Sequence, residues 1–376
     1  MKKKLLQIGK FFPPNWGGIE TATVGNIEVF DRIEDWDLET AVHSNEKLSQ
    51  SWSSVHSFEY RLIKNIPFSL RLIKFVTKKL SAYRCVIIHV PNPFPLVLVL
   101  FKKPRQIFCL YWHAPVSKKG IILGFLYNIF TRLFYSKFDY ILVPTEEHIK
   151  TVPSYLKHKV FVLVDLFSTL ELNTESSKVL EHIDTSQGKV FKPYFVCTGR
   201  YVKYKGFDIA IVAFSQFLKK NPGVELIIIG SGPEFDNYKY LTKQLEIEQS
   251  VVFLQNISNT EKLHKIAGAL CLLMPSISNQ EMYGLSQVEA YACRTPVVTT
   301  KLENSGVPII AEASGSAIVV QPSSVSELQS AMERIWSSPE LRKSMGESAR
   351  KYYLKRHSID TVERQFKTFL KEVMVE

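Results

Sequence analysis

Tyr194-Phe195-Val196-Cys197-Thr198-Gly199-Arg200-Tyr201-Val202-Lys203-Tyr204-Lys205-Gly206 is a short apolar strand, a turn carrying two cations, and the opening of a helix that the spacing extends to Lys219. The same rhythm repeats downstream. Strands are expected at Glu225–Ile229, Val251–Leu254, Leu270–Met274 and Val297–Thr299, and helices at Pro233–Leu245, Thr260–Ala267 and Leu285–Ala292. Apolar strands buried on both faces and separated by helices specify a parallel, doubly wound sheet.

The N-terminal half carries the same pattern. Leu5–Gly9, Glu39–His43, Cys85–Val90, Ile107–Trp112 and Tyr140–Val143 read as strands, and Thr21–Phe30 as a helix. The fold class is therefore α/β, with two Rossmann-like doubly wound domains facing a cleft. The expected boundaries are 1–172 for the first domain and 193–356 for the second. Between them lies a polar linker, 173–192, punctuated by Ser, Thr and Gly. The end of the chain, Val325–Glu376, is helical in period. Ligands of such sheets bind off the carboxyl ends of the strands.

The length of 376 residues supplies a core for each domain. The five cysteines (Cys85, Cys109, Cys197, Cys271, Cys293) are scattered and never spaced as CxxC. They are expected to be reduced thiols in a cytoplasmic protein. The basic start, Lys2-Lys3-Lys4, leads into a strand and not into a signal-peptide core. No run reaches the ~18–20 apolar residues of a membrane span. The net charge of +11 is uneven: residues 1–165 hold 23 Lys and Arg against 13 Asp and Glu. Residues 61–138 hold fourteen basic residues and no acid, interleaved with apolar stretches such as 67–76 and 120–134. Basic heads above apolar faces suit an anionic lipid surface. A solubilising basic face is the competing reading. No nucleic-acid motif is present, so nucleic acid is not expected as a partner.

Three stretches carry chemistry. Gly17 and Gly18 follow the first strand and precede a helix, where glycines let backbone amides approach an anion; ordinary turn chemistry is the alternative. Arg200 and Lys205 offer a fork and a point charge to phosphate at a strand's carboxyl end. Fixed cations there stabilise a leaving nucleoside diphosphate without a metal. Glu281 and Glu289 are separated by seven residues at the opening of a helix, with the amides of Tyr283, Gly284 and Leu285 between them. The carboxylates suit sugar and ribose hydroxyls, and the amides suit phosphate. His113 follows the strand ending in Trp112, placed to line the sugar site or to serve as a loop histidine. GxGxxG is missing, which argues against a dinucleotide oxidoreductase.

These residues, in this order, resemble the retaining GT-B glycosyltransferases of glycosyltransferase family 4. The resemblance rests on Gly17-Gly18-Ile19-Glu20, Trp112-His113, Gly199-Arg200 with Lys205-Gly206, Ile229 to Pro233, Glu281 to Glu289 and Pro296-Val297-Val298. It implies catalytic roles for His113, Arg200, Lys205 and Glu281. Arg200 and Lys205 would hold the donor diphosphate, with Gly17 and Gly18 near the acceptor and donor phosphates. Glu281 would contact the transferred sugar and Glu289 the ribose, and a C-terminal helix, about 357–376, would cross back to the first domain. It also implies sugar transfer with retention, with no cofactor and no metal. Asp35-Trp36-Asp37 matches the metal-binding DxD of the other large glycosyltransferase fold by its letters, but lies at the lead-in to the second strand.

Two departures stand out. Arg294 occupies the glycine position that usually ends the helix after Glu289, so this helix is expected to end differently. Gln255-Asn256 replace a glycine near the base pocket.

The expectation is a glycosyltransferase acting from a nucleotide diphosphate sugar, with mannose from GDP-mannose the first choice because of the Trp112-His113 context. The acceptor expected is a lipid-linked saccharide of surface polysaccharide assembly (O-antigen, capsule or exopolysaccharide), at the inner face of the cell membrane. The rivals are a GT-B sugar-nucleotide epimerase or hydrolase, and a non-catalytic partner in a glycosyltransferase complex.

Overall fold

The computed structural model describes residues 2–12, 17–46, 52–63, 66–113, 132–146, 148–164 and 192–373. The chain divides into two compact units, Met1–Thr169 with Ser358–Glu376, and Leu170–His357. Most of the expected linker, the apolar stretch 120–131 and the turn 13–16 lie outside the described residues.

In the first unit the elements run β1 (Lys3–Ile8), α1 (Gly18–Phe30), β2 (Trp36–His43), β3 (Val55–Phe58), β4 (Arg61–Ile63), β5 (Ile66–Phe68), α2 (Leu70–Lys79), β6 (Cys85–Val90), β7 (Ile107–Trp112), β8 (Tyr140–Val143), α3 (His148–Thr151) and β9 (Val160–Val162). Seven strands form a parallel sheet ordered β3-β2-β1-β6-β7-β8-β9, and β4 and β5 form a small antiparallel pair. Every residue of β6 is buried, as a strand covered on both faces requires. One face packs Leu5, Ile87, Tyr111 and Leu142; the other packs Leu6, Ile88, Leu110 and Ile141, the period-2 alternation of a strand. Ser69 caps α2 by accepting from the Leu72 amide. That helix buries Leu72 and Val76 and turns Leu70, Arg71, Lys74, Lys78 and Lys79 outward.

The second unit runs β10 (Tyr194–Thr198), α4 (Phe207–Leu218), β11 (Glu225–Ile229), α5 (Phe235–Gln244), β12 (Val251–Leu254), α6 (Asn259–Ala267), β13 (Cys271–Met274), α7 (Leu285–Ala292), β14 (Val297–Thr300), α8 (Val307–Ser314), β15 (Ala317–Val320), α9 (Val325–Ser337) and α10 (Pro339–Arg356). Its six parallel strands are ordered β12-β11-β10-β13-β14-β15. The last helix, α11 (Ile359–Glu372), returns to the first unit. It buries Val362, Phe366, Phe369 and Leu370, with Phe366 edge-on to Phe30 and Phe369 against Tyr140 and Phe161. Each such side chain contributes about 1.5–3 kcal/mol.

The strand order reverses between β1 and β6 in one sheet and between β10 and β13 in the other. Loops leaving the carboxyl ends of strands at such a reversal part to opposite faces and open a binding crevice.

Candidate active site

In the second unit the site is assembled where the loops after β10 and β13 meet. Gly206 takes φ +66°, and a Cβ there would stand 2.1 Å from the Pro275 carbonyl oxygen. Only glycine tolerates both the conformation and the approach. The Ile277 amide donates to the Tyr204 carbonyl at 2.8 Å and ties the two loops together. This junction sets Lys205 against Glu281: Lys205 Nζ lies 2.5 Å from Glu281 Oε2, and both residues are buried. Burial works against the lysine's charge, but the Glu281 carboxylate and Tyr204 outweigh it, so Lys205 is held above its ordinary pKa. Ser276 Oγ donates to the same Glu281 oxygen at 3.3 Å. From behind, Ser305 Oγ donates to the Glu281 carbonyl at 2.6 Å, and the Gly306 amide donates to Met282.

Gly284 caps α7 with φ +74°, and a Cβ would crowd Gln287 and Met274, both at 2.9 Å. Ser286 Oγ donates to the Thr198 carbonyl, docking the start of α7 on the end of β10. Tyr283 is buried and its hydroxyl lies 3.4 Å from His357 Nδ1; Leu285 is half-buried. Arg200 is exposed, and its guanidinium reaches the Tyr204 hydroxyl at 3.4 Å. The second unit thus brings Lys205, Glu281, Tyr283 and Gly284 together, with Arg200 beside Tyr204. Glu289 is half-buried on α7 and engaged by Lys262 Nζ of α6 at 2.7 Å. Lys262 was not among the residues singled out in the sequence.

In the first unit Gly17 precedes and Gly18 opens α1, at the carboxyl end of β1. A Cβ on Gly17 would stand 2.6 Å from Glu20 Oε2, so this glycine leaves room for the Glu20 carboxylate. Glu20 is buried and accepts from the Phe11 amide at 3.2 Å. Burial raises its pKa against the pull of those hydrogen bonds and of nearby Lys10 and His113. His113 follows β7, its ring stacked on Tyr111 at 4.7 Å and its Nε2 2.9 Å from His89 Nδ1. His89 was missed in the sequence. A polar residue in the apolar run Val86-Ile87-Ile88-His89-Val90, one strand from Trp112-His113, was the available signal.

One expectation is corrected. Arg294 takes φ +58°, so the helix after Glu289 ends in the left-handed turn a glycine would have made. Asn256 takes φ +55° in the same way, as Asn tolerates. Within the basic stretch 61–138, Lys102 is held by Asp139 at 2.5 Å and Lys79 lies over Phe75 and near Glu39. Lys74, Lys78 and Lys103 are exposed. Asp35 and Asp37 flank the first residue of β2, at the amino-terminal edge of the sheet, and Asp37 faces Lys2.

Comparisons with known proteins bear on the fold and the family. The family profile described as "Glycosyl transferases group 1" matches residues 181–352. N-acetyl-alpha-D-glucosaminyl L-malate synthase of Bacillus anthracis is 24% identical, over 62% of this chain and 56% of that protein. A GDP-mannose-dependent monoacylated alpha-(1-6)-phosphatidylinositol monomannoside mannosyltransferase of Corynebacterium glutamicum is 29% identical, over 55% and 51%. The chain spans about half the length of the curated relatives it matches. Among solved structures, Anabaena HepE in complex with UDP and glucose superposes with a TM-score of 0.74 at 17% identity, covering 98% of this chain and 100% of that one. The stretch 181–352 carries a glycosyl transferases group 1 domain, and the fold of the chain is that of the GT-B glycosyltransferases.

Proposed function

We propose that this chain is a retaining, metal-independent glycosyltransferase that takes its sugar from a nucleotide diphosphate donor. The observation that carries the reading is the Lys205–Glu281 pair, buried at the carboxyl ends of β10 and β13 beside the start of α7. Lys205 keeps its charge there and, with Arg200 and the amides that open α7, stabilises the diphosphate as it leaves. Glu281 accepts from hydroxyls of the transferred sugar, and Glu289 from the ribose once Lys262 shares it. His113 lines the sugar site from its own unit, and Gly17 and Gly18 serve the phosphates. The acceptor attacks from the face the diphosphate leaves, and the departing phosphate takes the acceptor's proton, so the anomeric configuration is kept.

Mannose from GDP-mannose is the donor we propose first, supported by the Trp112-His113 context and by the GDP-mannose dependence of the Corynebacterium relative. The acceptor is a lipid-linked saccharide of surface polysaccharide assembly, such as lipopolysaccharide, reached at the cytoplasmic face of the membrane. Among the described residues no helix is long and apolar enough to cross a membrane. The first unit exposes Leu62, Ile63, Leu70, Leu100 and Phe101 in the segment that carries exposed Lys74, Lys78 and Lys103. That combination suits peripheral attachment to anionic lipid. Purified chain offered GDP-, UDP- and dTDP-sugars with a lipid-linked acceptor extract tests the reading. Product with the donor's anomeric configuration supports it; donor consumption without any acceptor replaces it with the hydrolase or epimerase.

A further inference from the structure

His89 and His113 end neighbouring strands of the first unit, where β6 pairs with β7 in parallel and Val90 stands opposite Trp112. The His113 amide donates to the Val90 carbonyl, which fixes the backbone of the second histidine against the first strand. Their ring planes lie 11° apart, and His89 Nδ1 is 2.9 Å from His113 Nε2. Tyr111 packs against both rings, 5.1 Å from His89 and 4.7 Å from His113. Two imidazole nitrogens at that distance share one proton: one donates and the other accepts.

Which one donates follows from the far side of His89. That residue is fully buried, and its Nε2 has no hydrogen-bond partner among the described residues. If His89 Nδ1 accepted, its own proton would sit on Nε2 as a buried donor with nothing to bond. If His89 Nδ1 donates, Nε2 is a buried lone pair without a donor among the described residues. Buried N–H groups without acceptors are rarer in folded proteins than acceptors left short of a donor. Burial also keeps His89 from taking a second proton.

We propose that His89 is a positioning residue for His113: it donates from Nδ1 to His113 Nε2 and thereby fixes the tautomer that carries its proton on Nδ1. His113 then presents an N–H, not a lone pair, on its remaining nitrogen. A donor is what a sugar hydroxyl oxygen or a developing negative charge needs. The functional half of this inference rests on the reading of His113 as part of the sugar site; the tautomer itself does not.

The test uses the full chain with 15N-labelled histidine. Long-range 1H–15N spectra should show His113 with a protonated Nδ1 and a bare Nε2. In His89→Leu the donor is gone, and His113 should move toward the Nε2–H form that unconstrained imidazole side chains prefer. In His89→Asn the side-chain amide stands near the position of Nδ1 and should keep His113 in its original tautomer. A wild-type His113 protonated on Nε2, or a His89→Leu spectrum unchanged at His113, overturns the proposal. If His89→Leu does not fold, the wild-type and His89→Asn spectra decide it. With the donor found active in the nucleotide-sugar screen, His89→Leu should lose about tenfold or more in turnover with donor KM within about twofold, and His89→Asn should recover most of it. Turnover intact in a variant whose tautomer has changed overturns the positioning role. If no nucleotide sugar is accepted at all, the glycosyltransferase reading fails while the spectra still judge the tautomer.

Discussion

Lys205 and Arg200 share one loop but not one environment, and the difference separates what their removal does. Lys205 is buried against Glu281, whereas Arg200 is exposed and reaches the Tyr204 hydroxyl. Lys205→Ala strands a buried carboxylate, so it should lower stability by about 3–5 kcal/mol as well as cut turnover. Arg200→Ala should cut turnover by an amount equivalent to about 2–4 kcal/mol and leave the melting temperature where it was. Pairing Lys205→Met with Glu281→Gln should recover the stability and not the activity. Calorimetry and initial rates on the four proteins check this; equal melting temperatures for Lys205→Ala and wild type would remove the buried pair from the account. Both cations were legible in the sequence because they follow a strand and precede a helix. Their partners were not. Glu281 stands far along the chain from Lys205, and the Gly206–Pro275 contact and the Ile277–Tyr204 hydrogen bond bring the two loops together. Glu289 read as a ribose ligand, while its pairing with Lys262 depends on how α6 lies beside α7.

The elements themselves were read from burial on both faces, which is why β6, β7, β8, β10, β11 and β12 fall where the apolar runs put them. Five short elements escaped: β3 breaks its apolar run with His56 and Ser57, β9 has only three residues, β4 and β5 carry no turn signature, and β15 is no shorter than β8 or β12 and was not read. The end of α7 shows how a local rule was overridden. Arg294 adopts the left-handed conformation that costs an L-residue about 1–2 kcal/mol. Tertiary contacts hold it there: a Cβ on Gly346 of α10 would stand 2.4 Å from the Arg294 carbonyl oxygen, and Arg350 Nη1 donates to the Ala292 carbonyl at 2.9 Å. Arg294→Gly should therefore raise stability by about 0.5–1 kcal/mol, the strain relieved less the entropy glycine loses. Arg294→Val should lower it, since a branched side chain tolerates that conformation worst. Thermal melts of both variants measure it, and a destabilised Arg294→Gly would show that the turn carries no strain.

Two properties belong to the molecule as a whole. The first is its response to acid. His357 is fully buried, and burial, with Arg356 nearby, pushes its pKa down to about 3. The unfolded chain takes up that proton near 6.5, so the stability is present above that pH and is lost as the pH falls toward 3. His357→Phe should flatten the decline between pH 7 and pH 5 by about 2 kcal/mol. Parallel pH profiles for the two proteins would contradict it. The second is attachment to membranes. Vesicles containing anionic lipid should sediment the protein and release it with salt, and Lys74→Glu, Lys78→Glu and Lys103→Glu together should abolish sedimentation, each basic residue near the surface being worth about 1 kcal/mol. Indifference of the wild type to such vesicles at low salt leaves the basic face a solubilising one. The central claim is sugar transfer supported by side-chain cations and helix amides. It is tested most directly by incubating the chain with a panel of GDP-, UDP- and dTDP-sugars and a lipid-linked acceptor, with and without excess EDTA. A glycosylated product of retained configuration is expected in both conditions; no transfer from any donor, or transfer that EDTA abolishes and manganese restores, would contradict sugar transfer without a metal.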